Sequence, residues 1–362
     1  MKVSAIVPDD YRNPMGGMGI FVAAIKDRLN WNLIENTSLE VSPVKTTEFK
    51  NVIHQVLNNY NIVPILQEQN PDLVHSCDWS AGWPSHIYTH ASKKKHIYHV
   101  HLGIRDSMMG QLKDPETKGF LEMIIRAVED CETTVMEHAD HIIHVSHTYK
   151  NKYPKFFNHK SSVIHNGIDF DYWQSDYNSI PLPGDRRIKV VYIGRFAAMK
   201  NVEAILDAEI PEDIDIIFAG GPRCGEPDIL KRAIRESKEK EYFHCVGPVS
   251  GDIKKSLLRG ADAIMVPSLV EPFGIVGLEG LASQSLVLSS RSQGLGEFLD
   301  DDCSIHCGTT SESISLSLKQ LSEMTNKEKQ VLIQNGLERA KDFDWSKTIE
   351  KIQEVYTSVM EN

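Results

Sequence analysis

Two carboxylates, Glu271 and Glu279, bracket the stretch Glu-Pro-Phe-Gly-Ile-Val-Gly-Leu-Glu. An apolar run from Ala261 to Val266 precedes them and stops at Pro267, and a Gly-rich apolar segment follows Glu271. The pattern predicts a strand, a short loop and a helix that carries Glu279. Eight helical steps would set the carboxylates roughly 12 Å apart along the axis, farther than the roughly 5 Å of a retaining glycosidase pair or the roughly 6.5–9.5 Å of an inverting one. The layout instead suits one extended ligand. The N–H groups at the helix start, around Phe273, Gly274, Ile275 and Val276, would face its hydroxyl or phosphate oxygens. The plainer alternative makes Glu279 a solvated helix residue and Glu271 an N-terminal charge favoured by the helix dipole.

A cationic group stands earlier. Ile188 to Ile193 reads as a strand whose carboxyl end delivers Gly194-Arg195-Phe196 and then Lys200. A guanidinium can fork onto phosphate oxygens and a lysine adds a point charge, so the pair suits a diphosphate. An ordinary charged surface loop is the competing reading. Two more strand patterns, Ile214 to Ala219 and Phe243 to Val246, end in Gly220-Gly221-Pro222 and Gly247-Pro248. Strands that each lead into a helix predict a doubly wound parallel sheet.

The N-terminal half repeats this grammar. Lys2 to Val7 reads as a buried strand, followed by Pro8-Asp9-Asp10 and by Asn13-Pro14-Met15-Gly16-Gly17-Met18-Gly19, which opens a helix through Leu29. Glycine lets a ligand approach the backbone and the helix start favours anions, although the wording is neither a dinucleotide fingerprint nor a P-loop. A strand from Leu73 runs into Asp78 and Trp79; Asp78 reads either as an acceptor-side group or as an N-cap. His96 to Val100 is a short strand closed by His101, with His99 on the same face as buried support. His138, His141, His144 and His147 recur every third residue, but the β-like run Ile142 to Val145 breaks the helical continuity a zinc site would need. From Tyr149 to Lys160, lysines alternate with aromatics. That stretch reads as an amphipathic helix with inward aromatics, or as a patch for an anionic membrane.

These landmarks occur in order along nearly the whole chain: the glycine loop, Asn166-Gly167-Ile168-Asp169, Gly-Arg-x-x-x-x-Lys at 194–200, and the glutamate pair. Together they resemble family four of the glycosyltransferases, whose members include bacterial glycogen synthases and sucrose-phosphate synthases. The resemblance implies an α/β chain of the GT-B type, with two Rossmann-like doubly wound parallel-sheet domains facing each other across a cleft. It divides the chain into an acceptor-side domain at 1–170, a linker at 171–187, a nucleotide-sugar-binding domain at 188–344 and a helix at 345–362 that crosses back. It implies a retaining hexosyltransferase in which Arg195 and Lys200 hold the donor diphosphate. Glu271 would contact the sugar near its reacting edge, Glu279 the ribose hydroxyls, and His101 the donor sugar or an acceptor hydroxyl. Gly16, Gly17, Gly221, Phe273, Gly274, Ile275 and Val276 join the donor site, and Gly19, Asp78 and Trp79 the acceptor side. One departure stands at Cys77, where the family's wording has histidine. No permanently bound cofactor and no metal are implied; the partners are a nucleotide sugar, with UDP favoured, and a hydroxyl acceptor. A small molecule or glycan leads as acceptor, with a lipid-linked one second. Readings from other classes are a nucleotide-sugar epimerase and a non-catalytic nucleotide-sugar-binding protein.

Composition narrows the field further. The 362 residues, 41% of them apolar, suffice for two domains. A net charge of -11 argues against general nucleic-acid binding. The N-terminal 165 residues are almost neutral, with 17 Lys+Arg against 18 Asp+Glu, so the acidic excess lies beyond them. No apolar stretch approaches the roughly 18 residues of a spanning helix, and no signal-peptide layout opens the chain, so a cytoplasmic location is expected. The six scattered cysteines, Cys77, Cys131, Cys224, Cys245, Cys303 and Cys307, read as free thiols.

Overall fold

The structure is a computed structural model and describes residues 1–8, 12, 16–35, 61–113, 115–222 and 227–362. The start of the expected glycine loop, Asp9-Asp10 and Asn13 to Met15, and Cys224 lie outside these residues. The chain forms two units, Met1–His165 together with Trp345–Asn362, and Asn166–Asp344.

Runs of β-branched and apolar residues, too short for helices and bounded by polar turns, build the first sheet: β1 (Val3–Val7), β2 (Trp31–Glu35), β3 (Leu73–Cys77), β4 (Lys95–Val100), β5 (His141–His144) and β6 (Ser161–Val163). They lie in the order β2-β1-β3-β4-β5-β6, and every pairing is parallel. β1 and β3 are buried along their whole length, as a sheet covered on both faces requires. Helices connect these strands: α1 (Gly17–Ile25) after β1, α2 (Trp79–Ser92) after β3, and α3 (Pro115–His138) between β4 and β5. The second unit repeats the plan with β7 (Ile188–Ile193), β8 (Ile214–Ala219), β9 (Phe243–Gly247), β10 (Ala263–Val266), β11 (Leu286–Ser289) and β12 (Ile305–His306), in the order β12-β11-β10-β7-β8-β9 and again all parallel. Its core joins both sheet neighbours and flanking helices, from Val190 and Phe218 to Ile314 and Leu321. α4 (Gly251–Gly260) precedes β10, and α5 (Ile275–Ala282) links β10 to β11. The last helix, α6 (Trp345–Glu361), packs with the first unit and buries Trp345, Ile349, Ile352, Tyr356 and Val359.

In each sheet the strand order reverses once, between β1 and β3 in the first and between β7 and β10 in the second. At such a reversal the loops leaving two neighbouring strands diverge and open a crevice at the carboxyl ends, where α/β sheets bind ligands.

The segment from Tyr149 to Lys160 differs from the expected single helix. His147–Lys150 is one helical turn and Lys155–Lys160 a 3-10 turn, separated at Pro154, which lacks the N–H a continuing helix would use. Tyr149 and Phe157 are buried while Phe156 is exposed. Three of its four lysines are tied to the fold: Lys160 donates to the carbonyls of Glu137 and Ala139, Lys150 to that of Ser161, and Lys152 pairs with Asp106, while Lys155 is exposed. Three of the four periodic histidines have separate partners. His138 Nδ1 lies 2.9 Å from the carbonyl oxygen of Thr134 and His141 Nε2 2.9 Å from Ser162 Oγ, while His144 packs on Tyr153.

Candidate active site

Both groups of candidate residues in the second unit sit at its reversal. Arg195 and Lys200 follow β7, and Glu271 follows β10. The segment after β7 is laced to its neighbours through the backbone. Gly194 N donates to Ala219 O over 3.0 Å, Phe196 N to Gly221 O over 2.9 Å, and Tyr192 Oη to the Arg195 carbonyl over 2.7 Å. Gly220 permits that approach: a Cβ there would lie 1.8 Å from the Gly194 carbonyl oxygen. On its far side the same segment holds the loop after β10. Leu269 N donates to Met199 O over 2.8 Å, and Asn201 spans from Pro267 O to Thr309 O at 3.1 and 2.8 Å. Asn201 adopts φ 58°, a left-handed conformation that asparagine tolerates better than most residues.

This lacing brings the Lys200 ammonium onto Glu271 Oε2, which also accepts from Ser268 Oγ at 3.1 Å. The side chains keep 20% and 14% of their exposure, so a ligand can reach the pair. Burial beside the Glu271 charge pushes the Tyr192 phenol far above its ordinary range, leaving Tyr192 a hydrogen-bond donor at any working pH. Helix α5 then begins at Ile275, with Gly274 at its N-cap in a left-handed conformation, φ 101°, and with no side-chain cap. A Cβ at Gly274 would meet Leu295 at 2.3 Å, so glycine is required by space as well as by conformation. Phe273, placed by the sequence among the ligand contacts, turns its ring inward against Phe298 and Phe343, with centroids 5.2 and 6.0 Å away.

Glu279 is 4% exposed and takes a different cation from Glu271. Lys254, on α4, places its ammonium 2.6 Å from both carboxylate oxygens, with hydrogen-bond geometry toward Oε1 and too oblique an approach toward Oε2. Lys254 is the functional candidate that sequence reasoning missed. Twenty-five residues and a strand separate it from Glu279, and no spacing rule links them. Tyr172 lies in the same region; its phenol is pushed up to about 12, first by burial and then by the hydrogen bond and charge of Asp252, with Glu279 adding a smaller part.

In the first unit, Gly16, Gly17 and Gly19 follow β1, and Asp78 and Trp79 follow β3, on either side of that reversal. Gly16 is the extended N-cap residue of α1, which has no side-chain cap. Asp78 occupies the N-cap position of α2 but does not cap it. Its Oδ1 instead accepts from the backbone N–H of His101 at 2.6 Å and of Leu102 at 2.8 Å, fixing the turn that leaves β4. His101 is 7% exposed, and burial lowers its pKa to about 3, so the ring is neutral. Phe21 and His99 lie against it at centroid distances of 4.5 and 4.1 Å, and its Nε2 has no hydrogen-bond partner among the described residues.

Two family models match the chain, glycosyl transferases group 1 over residues 176–339 and Glycosyltransferase Family 4 over residues 26–172. The chain belongs to the group 1, family 4 glycosyltransferases. An uncharacterized glycosyltransferase of Methanocaldococcus jannaschii is 26% identical over 378 aligned positions, which cover 98% of each chain. A D-inositol 3-phosphate glycosyltransferase of Mycolicibacterium smegmatis is 25% identical, over 80% of this chain and 68% of its own. Among solved structures, a sucrose-phosphate synthase from Thermosynechococcus elongatus superposes with a TM-score of 0.81 at 17% identity, covering 100% of both chains. Anabaena HepE in complex with UDP-glucose gives 0.75 at 16% identity, over 99% of this chain and 100% of its own. The two six-stranded parallel sheets of this family 4 glycosyltransferase are the GT-B fold. Among the described residues no helix is long and apolar enough to cross a membrane.

Proposed function

We propose that this glycosyltransferase moves a hexosyl group from a UDP-linked donor to a hydroxyl of a small-molecule or glycan acceptor, with retention of configuration and without a metal. The observation that carries the reading is the Lys200–Glu271 pair, held beside the Arg195 segment where the second sheet reverses. A departing nucleoside diphosphate needs charge stabilisation more than protonation, and preorganised cations and dipoles supply it without reorganisation. Arg195 and Lys200 bring two positive charges, and the start of α5, capped by a glycine with no side chain in the way, brings its dipole. Glu271 engages the Lys200 ammonium, and a bound diphosphate would compete for it and leave Glu271 to a sugar hydroxyl. Glu279, neutralised by Lys254, would accept from the ribose hydroxyls. In the first unit His101, neutral and with Nε2 uncommitted, would meet a hydroxyl of donor or acceptor. UDP is favoured because HepE was solved with UDP-glucose, and a small polyhydroxylated acceptor because the mycobacterial relative is named for inositol phosphate.

A thermal-shift screen against nucleoside diphosphates, with EDTA present throughout, tests this. A ligand at one hundred times its dissociation constant stabilises by about 2.7 kcal/mol, which for a unit of this size raises the melting temperature by about 5–10 °C. UDP is expected to give that shift, and transfer assays with UDP-sugars to depend on an added acceptor. No shift with any diphosphate would remove the donor site. A shift that appears only after metal is restored would remove metal independence.

A further inference from the structure

Tyr356, near the end of α6, heads a buried series of hydrogen bonds in the first unit. Trp31 Nε1 donates to Tyr356 Oη over 2.8 Å; that oxygen lies 2.8 Å from His75 Nδ1, and His75 Nε2 lies 3.2 Å from His99 Nδ1. Tyr356 and both histidines are at most 2% exposed, and Trp31 9%. An indole N–H can only donate, so Tyr356 accepts from Trp31. The phenol's own proton then needs an acceptor, and the nitrogen placed to take it is His75 Nδ1. His75 therefore carries its proton on Nε2 and donates to His99 Nδ1, which places the proton of His99 on Nε2 in turn. Run the other way, the phenol would keep a buried O–H unpaired and His99 Nε2 a buried lone pair as well, two unmet groups, whereas this direction leaves only the His99 Nε2–H without a partner among the described residues.

The series ends against the functional candidate. His99 lies on His101 with ring centroids 4.1 Å apart and planes at 33°, and Phe21 touches both rings, at 5.0 and 4.5 Å. Asp78 fixes the backbone of His101, but no hydrogen bond among the described residues holds its Nε2. The direction of that ring is set by what it packs on, and one of those surfaces is an imidazole whose own orientation is decided at Tyr356, 325 residues along the chain from Trp31.

We propose that Tyr356 is a positioning residue: through His75 it locks the ring and tautomer of His99, and His99 holds the His101 imidazole with Nε2 turned to substrate. The proposal takes from the transferase reading only the role of His101. The last helix thereby contributes to the site and is not merely a cover for the first unit.

The test is made on the full chain with nitrogen-labelled histidine. Long-range proton–nitrogen correlation spectra at about pH 7.5, where histidine is neutral on its ordinary pKa, report which ring nitrogen carries the proton, whether or not the enzyme turns over. His75 and His99 are expected as Nε2–H tautomers. In Tyr356→Phe the His75 Nδ1 loses its donor, so both tautomers become accessible and the His75 and His99 resonances move toward average values. The turnover number then falls about tenfold, a barrier change of about 1.4 kcal/mol, while KM for the donor stays within about twofold and the circular dichroism is unchanged. An Nδ1–H tautomer at His99 in the wild type overturns the proposal, as does a wild-type turnover number in Tyr356→Phe. Should that variant fail to fold, His75→Leu cuts the series from within the sheet and must move the His99 resonances and the turnover number in the same way. If the wild type transfers no sugar at all, the transferase reading falls, and the spectra alone decide the relay.

Discussion

Lowering the pH from about 7.5 to about 5.5 is expected to destabilise the first unit selectively, because His75, His96, His101 and His144 are all buried there as neutral rings. Burial is the leading cause in each case and brings each pKa down to about 3; the ammonium groups of Lys160 at His96 and Lys150 at His144 add to it. In the unfolded chain a histidine titrates near about 6.5. Between about 6.5 and 3 the unfolded state thus binds protons that the folded state refuses, and stability is complete above this window and falls with pH inside it. At about pH 5.5 each group costs about 1.4 kcal/mol, or about 5 kcal/mol for the four. Glu132 works the other way. Burial raises its carboxyl to about 7, against the opposing hydrogen bonds from Tyr98 and Tyr153, so acidification relieves about 2 kcal/mol of its penalty over the same interval. For these five groups the net loss is about 3–4 kcal/mol, a large part of the roughly 5–15 kcal/mol that holds a domain together, and His99, which burial holds well below its ordinary value, adds to it. Urea unfolding followed by tryptophan fluorescence reads it directly, since Trp31, Trp79, Trp83 and Trp345 lie in the first unit and Trp173 alone in the second. With a slope of about 2 kcal/mol per molar urea, the midpoint of the first unit should drop by about 1.5–2 M. His144→Leu should recover about 1 kcal/mol of that loss. A midpoint unchanged between the two pH values would refute the reasoning outright.

Glu132→Gln removes the opposing contribution, so its stability relative to wild type is expected to rise between about pH 5 and 7.5; a constant difference in denaturation midpoints would show that the carboxyl is not titrating there. Lys200→Ala should lower the turnover number by about two to three orders of magnitude, the range for losing one preorganised charge contact, with the melting temperature nearly kept; near-normal turnover would strip Lys200 of its diphosphate role. Glu279→Ala leaves the Lys254 ammonium without its carboxylate and should weaken nucleotide binding by about tenfold, roughly 1.4 kcal/mol by calorimetry; unchanged affinity would return Glu279 to a structural part. Gly274→Ala forces a Cβ into Leu295 at a left-handed backbone position and is expected to cost about 1–3 kcal/mol in urea unfolding, while a neutral outcome would mean that the loop relaxes freely.

Much of this architecture is legible in the chain because parallel strands buried on both faces write themselves as short, mainly apolar runs. β10 is unbroken, β1, β7 and β8 are each interrupted by one polar residue, and β3 turns polar at His75-Ser76; the residues just past such runs stand at the carboxyl edge of a sheet. Arg195, Lys200 and Glu271 stand out as a group for that reason. What the pattern cannot carry is pairing across the chain. Nothing local to Lys254 announces Glu279, nothing near Tyr356 announces His75, and Asp78 gives its carboxylate to a turn that is adjacent only because β3 and β4 are neighbours. Between Tyr149 and Lys160 the aromatic and lysine spacing suggests one helix and outweighs a single Pro154, yet the backbone obeys the proline.

The division of the chain bears on biosynthesis. The unit that holds β1 also takes in Trp345 to Asn362, and until that helix emerges from the ribosome Trp31 and His75 lack the phenol they both bind. The inserted unit, Asn166–Asp344, is complete in sequence before α6 is made, so a premature stop within α6 would injure the unit whose strands lie earlier in the chain.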